Sequence, residues 1–288
     1  MNRNDEIEWL FSPSRWSRRY RAEEIVQKHI EFITKASYLA RKCVPCQLNI
    51  PYGPTDKEKL DIFGTNLPPE SPIVIYVHGG DYWQELGREI SSYIVTPLYK
   101  NEFKVIIFGY TLSPEATLQQ IQDQINRAFL RCVDYANSTG SRSLYVCGHS
   151  GGSQLVASIF QSSFSTIPPD SANILKGVIL ISGIYDLIPL TKTRVNEILQ
   201  LDTTGARKLS PLYQPFIASQ GVVFFIIVGE NESPAFVEQS EAFHRKLKGL
   251  GYKSEFIVVK EVDHFDIAEQ LNEENYEIIR LIISMEDY

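Results

Sequence analysis

Leu144-Tyr145-Val146-Cys147-Gly148-His149-Ser150-Gly151-Gly152 is a short apolar run that stops at a Gly-x-Ser-x-Gly pentad. A helix-compatible stretch, Ser153-Gln-Leu-Val-Ala-Ser-Ile-Phe160, follows without a gap. Strand, tight turn and helix in that order read as a nucleophile elbow. A serine on so sharp a turn sits in strained backbone, and its neighbours tolerate no bulky side chain because strand and helix nearly touch there. Gly148, Gly151 and Gly152 meet that demand. The turn lifts the Ser150 hydroxyl above the sheet edge and aims a helix N-terminus, with the Gly151 N–H, at any oxyanion formed beside it. The pattern points to acyl transfer.

Working outward from the elbow, strand and helix signals alternate. Strands are expected at 73–77, 105–108, 178–181, 222–228 and 256–259, and helices at 90–99, 118–135, 235–247 and 275–284. Near-continuous apolar strands separated by helices imply an α/β fold with a mostly parallel central sheet and helices on both faces. Two shorter runs at 47–50 and 60–63, separated by the turn-rich Pro51-Tyr-Gly-Pro-Thr-Asp56, predict a leading antiparallel hairpin. Residues 5–41 read as helical, interrupted near the start by Ser12-Pro-Ser14-Arg15-Trp16, with Ile25, His29, Phe32, Ile33 and Ala36 at three-to-four spacing, and are expected on the rim of the main domain, with Trp16 a packing anchor or else a pocket wall. Residues 185–220 are irregular and broken by Pro189, Gly205, Pro211 and Pro215, which suggests a lid or cap insertion over the catalytic edge. The 288 residues are expected to form a single domain.

Composition bounds the partners. A formal net charge of -7 and 22% charged residues argue against nucleic acid or an anionic membrane surface. The first residues carry charge and no sustained apolar region follows, so neither a secretory signal nor a membrane span is expected. Four cysteines fit a reducing, cytoplasmic setting. Cys43-Val-Pro-Cys46 has CxxC spacing but precedes a strand and has no second ligand pair, so no metal site is expected.

His78-Gly79-Gly80-Asp81-Tyr82-Trp83 directly follows the first parallel strand. A glycine-rich turn there supplies backbone N–H groups to an oxyanion, with His78 bonding the loop. Of the five histidines, His29 and His244 fall in helices and His149 belongs to the elbow. His264 follows the last strand, where a general base for Ser150 is expected. The orienting acid should come from a strand-end loop between serine and histidine. Glu230 and Glu232 lie in one such loop and Asp186 in another, while Asp263 reads as a turn residue.

The residues are then specific enough to carry a resemblance. Ser12-Pro-Ser-Arg-Trp16, Tyr52-Gly53, Leu60-Asp61, His78-Gly-Gly with a following Trp, the elbow, Tyr185-Asp186-Leu187, Ser233-Pro234 with Gln239-Ser240, and Asp263-His264-Phe265-Asp266 together resemble the kynurenine formamidase (arylformamidase) family. That family is a branch of the α/β-hydrolases related to hormone-sensitive-lipase-type esterases. The resemblance implies the α/β-hydrolase fold, Ser150 as nucleophile, His264 as base and Glu232 as acid, where the family usually has Asp. It implies an oxyanion hole around Gly79, Gly80 and Gly151. The family reads His-Gly-Gly-Tyr-Trp, so with Asp81 inserted the second donor is Gly80 or Asp81. The implied substrate is N-formyl-L-kynurenine, cleaved to formate and L-kynurenine in tryptophan breakdown without metal or organic cofactor, in a chain that pairs as a homodimer. Trp83, Tyr185 and Phe265 are the candidate walls for its aromatic ring. The alternatives are a carboxylesterase of broad range and a hydrolase-fold protein that binds a ligand without turnover.

Overall fold

A computed structural model describes residues 3–161 and 164–287. Its centre is an eight-stranded sheet: β1 (Cys46–Pro51), β2 (Lys59–Phe63), β3 (Ile73–Val77), β4 (Lys104–Phe108), β5 (Leu144–His149), β6 (Leu175–Ile181), β7 (Val223–Gly229) and β8 (Lys253–Val259), in spatial order β1-β2-β4-β3-β5-β6-β7-β8. The hairpin β1–β2 and the pair β2–β4 are antiparallel, and the remaining pairs are parallel. The sheet is therefore mostly parallel, as the alternation of strand and helix signals implies.

Alternation within each strand is hidden in the sequence because both faces are covered. In β3, Ile73, Ile75 and Val77 pack into the layer that holds the helices Leu118–Thr139, Gly151–Ile159 and Pro234–Gly249, whereas Val74 and Tyr76 pack against Ala22–Cys43, Val95–Lys100 and Glu277–Ser284. The helix Leu118–Thr139 shows why these segments fold locally. Thr117 and Gln120 form a reciprocal capping box, Ile121, Ile125, Ala128, Cys132 and Ala136 make one buried face, and Gly140 closes the helix in the left-handed conformation.

Two expectations are corrected. Only Val95–Lys100 of residues 90–99 is α-helical, because Arg88–Ile90 and Ser92–Ile94 form separate 3-10 turns. The N-terminal segment is two α-helices, Arg3–Leu10 and Ala22–Cys43, and the break expected at Ser12–Trp16 runs on to residue 21, with the 3-10 turn Pro13–Arg15 inside it. Phe32 faces outward, while Ile25, His29, Ile33 and Ala36 are buried. Within residues 185–220, three short helical pieces, Ile188–Lys192, Val195–Leu199 and Thr203–Leu209, place Leu190, Leu199, Ala206 and Leu209 in the core. None of the described helices is long and apolar enough to cross a membrane.

Candidate active site

Parallel strands bring the C-terminal ends of β3, β5, β7 and β8 to one edge, where loops from distant parts of the chain meet. Ser150 ends β5 with φ 56 and ψ −124, and its N–H donates to Ile181 O at 2.8 Å, which pins the turn to the neighbouring strand. Such backbone is strained for a residue with a Cβ and persists only where its surroundings over-determine it. The surroundings here are tight. A Cβ on Gly152 would lie 2.1 Å from Val77 O, so only glycine lets the helix Gly151–Ile159 start against β3.

His264 Nε2 lies 3.0 Å from Ser150 Oγ, and His264 Nδ1 lies 2.9 and 3.2 Å from the two carboxylate oxygens of Glu232. The Glu232 side chain is fully buried and accepts from the imidazole, while Ser233 caps the helix that follows it. The other two acids are elsewhere. Glu230 pairs with Lys260 at the surface, and Asp186 accepts from Ile188 N–H and the Tyr213 hydroxyl. Geometry thus brings Glu232, and neither alternative, to the histidine.

The turn after β3 lies against the serine. A Cβ on Gly79 would meet Ser150 Cβ at 2.9 Å and Gly151 N at 3.4 Å. Gly80, Asp81, Tyr82 and Trp83 then run through four consecutive positive φ angles of 117, 29, 54 and 69°. This left-handed turn accommodates the extra residue Asp81, and Gln84 N–H closes it onto Gly80 O at 3.2 Å. Strained turns of this kind are held at functional sites by the structure around them. His78 is buried, stacks on Tyr110 at 4.5 Å and pairs through Nδ1 with Gly79 O at 2.8 Å. Burial pushes its pKa down to about 4, so it is neutral at pH 7 and serves the loop.

A cavity of about 340 Å³ opens above Ser150 and His264. Phe265 lines it, edge-on to His264 at 5.5 Å. Trp83 and Tyr185 do not line it, which corrects their expected place as ring walls. Trp83 is fully buried beneath the elbow and donates from Nε1 to Gly151 O at 3.1 Å. Tyr185 is equally buried and stacks face to face on Phe243 at 4.2 Å. Bulk and aromaticity alone do not separate a brace from a pocket wall.

Walls that the sequence left unassigned come largely from the N-terminal segment, through Phe11, Ser12, Pro13, Val26 and His29, with Tyr82 and Leu86 opposite and Arg194 and Val195 from the 185–220 stretch. Trp16 is an anchor, its ring 4.1 Å from that of Trp9. His149 also has a further task. Burial holds it well below the usual histidine range, so it is neutral, and its Nε2–H donates to His264 O at 2.9 Å. The pentad position between Gly148 and Ser150 was the available signal for it.

Asp263 ties this arrangement together. It accepts from Ser17 Oγ at 2.7 Å, from Arg19 Nε at 3.0 Å and from the backbone N–H groups of Phe265 and Asp266. Arg19 also reaches Glu269 at 2.7 Å. Burial alone would raise both carboxyls, but these hydrogen bonds outweigh it and hold them below the usual range. Arg19→Ala would leave two buried carboxylates without their counter-charge. The guanidinium is 29% exposed, so the expected loss of about 2–3 kcal/mol sits below the range for a fully buried pair. Carboxyls with lowered folded pKa values contribute stability above their unfolded value near 4 and lose it as pH falls. The gap in thermal stability between parent and variant should be full at pH 7 and shrink below about pH 4, as followed by unfolding scans at both.

Residues 74–267 match the pattern of the α/β hydrolase fold family. A kynurenine formamidase of Danio rerio is 35% identical over 98% of this chain and 96% of its own length, and one of Salmo salar is 35% identical over the same shares. Among solved structures, a Silicibacter sp. protein superposes with TM-score 0.78 at 24% identity over 96% of this chain and 98% of its own. Esterase B of Lactobacillus rhamnosis superposes with TM-score 0.70 at 14% identity over 98% and 96%. A shared fold of this closeness, joined to a third of identical residues from end to end, means that the chain belongs to the kynurenine formamidase family within the α/β-hydrolases.

Proposed function

We propose that this chain hydrolyses N-formyl-L-kynurenine to L-kynurenine and formate through a formyl-enzyme on Ser150. The observation that carries the reading is the unbroken chain from Ser150 Oγ through His264 to Glu232 at a cavity of about 340 Å³, in a protein that aligns end to end with relatives named kynurenine formamidase. Ser150 Oγ attacks the formyl carbon as His264 Nε2 takes its proton, and the Glu232 carboxylate stabilises the imidazolium. The oxyanion is met by the Gly151 N–H and by Gly80 or Asp81 N–H, none of which donates to an acceptor among the described residues. The imidazolium then protonates the departing aryl nitrogen as the C–N bond breaks, because an amide anion is a far poorer leaving group than an amine. Water, deprotonated by His264, releases formate and returns the proton to Ser150.

The acyl side of a formamide carries only hydrogen. Gly79 within 2.9 Å of Ser150 Cβ, counted from its missing Cβ, leaves a tight corner there that supports rejection of larger acyl groups by clash. The kcat/KM for N-formylkynurenine should exceed that for the N-acetyl analogue by at least about 10²-fold, a gap of roughly 2.7 kcal/mol in transition-state binding. Comparable turnover of the acetyl compound, or preference for p-nitrophenyl esters of longer acids, would replace the formamidase reading with an esterase one.

A further inference from the structure

The wall of the cavity holds a second histidine–carboxylate pair that the acyl-transfer chemistry does not use. His29 lies on the helix Ala22–Cys43 one turn after Ile25 and one turn before Ile33, on a buried face shared with Ala36, Ala40 and the small hydroxyl of Ser37, which is itself partnered by Ser92 N–H. A purely structural helix face would carry an aliphatic residue there, since burying imidazole is unfavourable unless its nitrogens are partnered. Only one of them is. His29 is 4% exposed and its Nδ1 lies 2.9 Å from Glu269 Oε1.

Glu269 is fixed from behind by Arg19 at 2.7 Å, and hydrogen bonds from His29 and Arg19 outweigh burial to keep it ionised. A carboxylate only accepts, so the proton of the pair sits on His29 Nδ1. With its Nδ1–H committed to Glu269, the Nδ1–H tautomer of the ring offers its Nε2 lone pair, an acceptor with no protein partner among the described residues, in a side chain that lines the cavity. The wall around it is acidic: Glu8, Asp81 and Glu85 line the same cavity, against the single guanidinium of Arg194. Phe265 stands edge-on to both His29 at 5.4 Å and His264 at 5.5 Å, so the two histidines flank one ring of the cavity lining. A polar group read by His29 would therefore be a separate part of the ligand from the one attacked.

We propose that His29, oriented by Glu269, is a specificity-determining residue that accepts a hydrogen bond from a primary ammonium group of the ligand, so that the cavity selects formamides bearing a cationic amine. The inference rests on the formamidase reading for the identity of the reacting group. Arg19 links the pair to the His264 loop through Asp263, so the amine site and the base share one support.

The test separates binding from turnover. In a Ser150→Ala background, calorimetry would measure the affinities for L-kynurenine and for its counterpart lacking the α-amino group, with His29 intact and as His29→Leu and His29→Gln. The parent should prefer the amine-bearing ligand. His29→Leu should lower that preference at least tenfold, and His29→Gln, which restores a polar acceptor, should recover part of it. Equal weakening of both ligands, no change in the preference, or no preference in the parent would overturn the assignment, the first because a merely structural residue affects both alike. Turnover of N-formylkynurenine by the unaltered protein is scored independently. Turnover without amine selectivity sinks the role of His29 and leaves the formamidase reading, while amine-selective binding without turnover does the reverse.

Discussion

Ser150→Ala is expected to lower kcat by about 10⁴–10⁶-fold, and His264→Ala by a similar factor, since both act in one proton-coupled attack. The expectation follows from their 3.0 Å separation and from the strained backbone that presents the hydroxyl at the cavity. The double variant should lose little beyond either single one. Once the nucleophile is gone, nothing remains for the base to activate, and only oxyanion contacts and binding persist. Kinetics with N-formylkynurenine would measure these ratios, and a serine-directed sulfonyl fluoride should label the parent at Ser150. Retention of most activity by Ser150→Ala, or labelling of another serine, would end the assignment. Thermal unfolding of each variant separates lost chemistry from lost fold.

Glu232→Gln carries the second largest expected effect, a fall in kcat of about 10⁴-fold. That magnitude comes from neutralising the acid of a serine protease triad. The physical cause transfers, because an amide in the place of a carboxylate neither fixes the imidazole tautomer nor stabilises the imidazolium. Here the effect is reinforced by burial. Glu232 has no exposed side-chain surface and presents both oxygens to Nδ1, at 2.9 and 3.2 Å, so no water takes over its charge. Glu230→Gln and Asp186→Asn should change kcat by less than about threefold, as their partners Lys260 and Tyr213 lie outside the site. Glu232→Asp withdraws the carboxylate by one methylene from a loop anchored at Ser233, and its activity should fall between parent and Glu232→Gln. An Asp186→Asn loss larger than that of Glu232→Gln would show the acid to be misplaced.

Much of the site could be read before any coordinates because its parts sit at strand ends with local signatures. Gly148-His-Ser-Gly-Gly152 needs small residues wherever a helix starts against a strand, and the contact between Gly152 and Val77 O is that need made visible. The glycine pair after β3 and the histidine after β8 have the same local character. The choice among acids differed. Glu230 and Glu232 are two residues apart in one loop, and nothing in their spacing says which turns inward; β7 and the cap at Ser233 decide that. The 3-10 turns within 88–94 were unreadable for a related reason, since their apolar residues satisfy a helical period while tertiary packing breaks the segment into separate turns.

What the sequence determined by itself was the set of parts: parallel strands with covering helices, an elbow at Ser150, a histidine at the final strand end and a small group of acids. These follow from periodicity and turn chemistry, which act over a few residues and leave a mark wherever they act. The tertiary structure alone decided which large side chains brace and which line the cavity, burying Trp83 and Tyr185 and leaving Phe265 and Tyr82 at the wall. It also decided that the N-terminal segment closes the site, with Arg19 gripping Asp263 from 244 residues away and His29 meeting Glu269 from 240. Pairings across such separations depend on where packed layers place two side chains, and neither partner's neighbourhood in the chain carries a trace of the other.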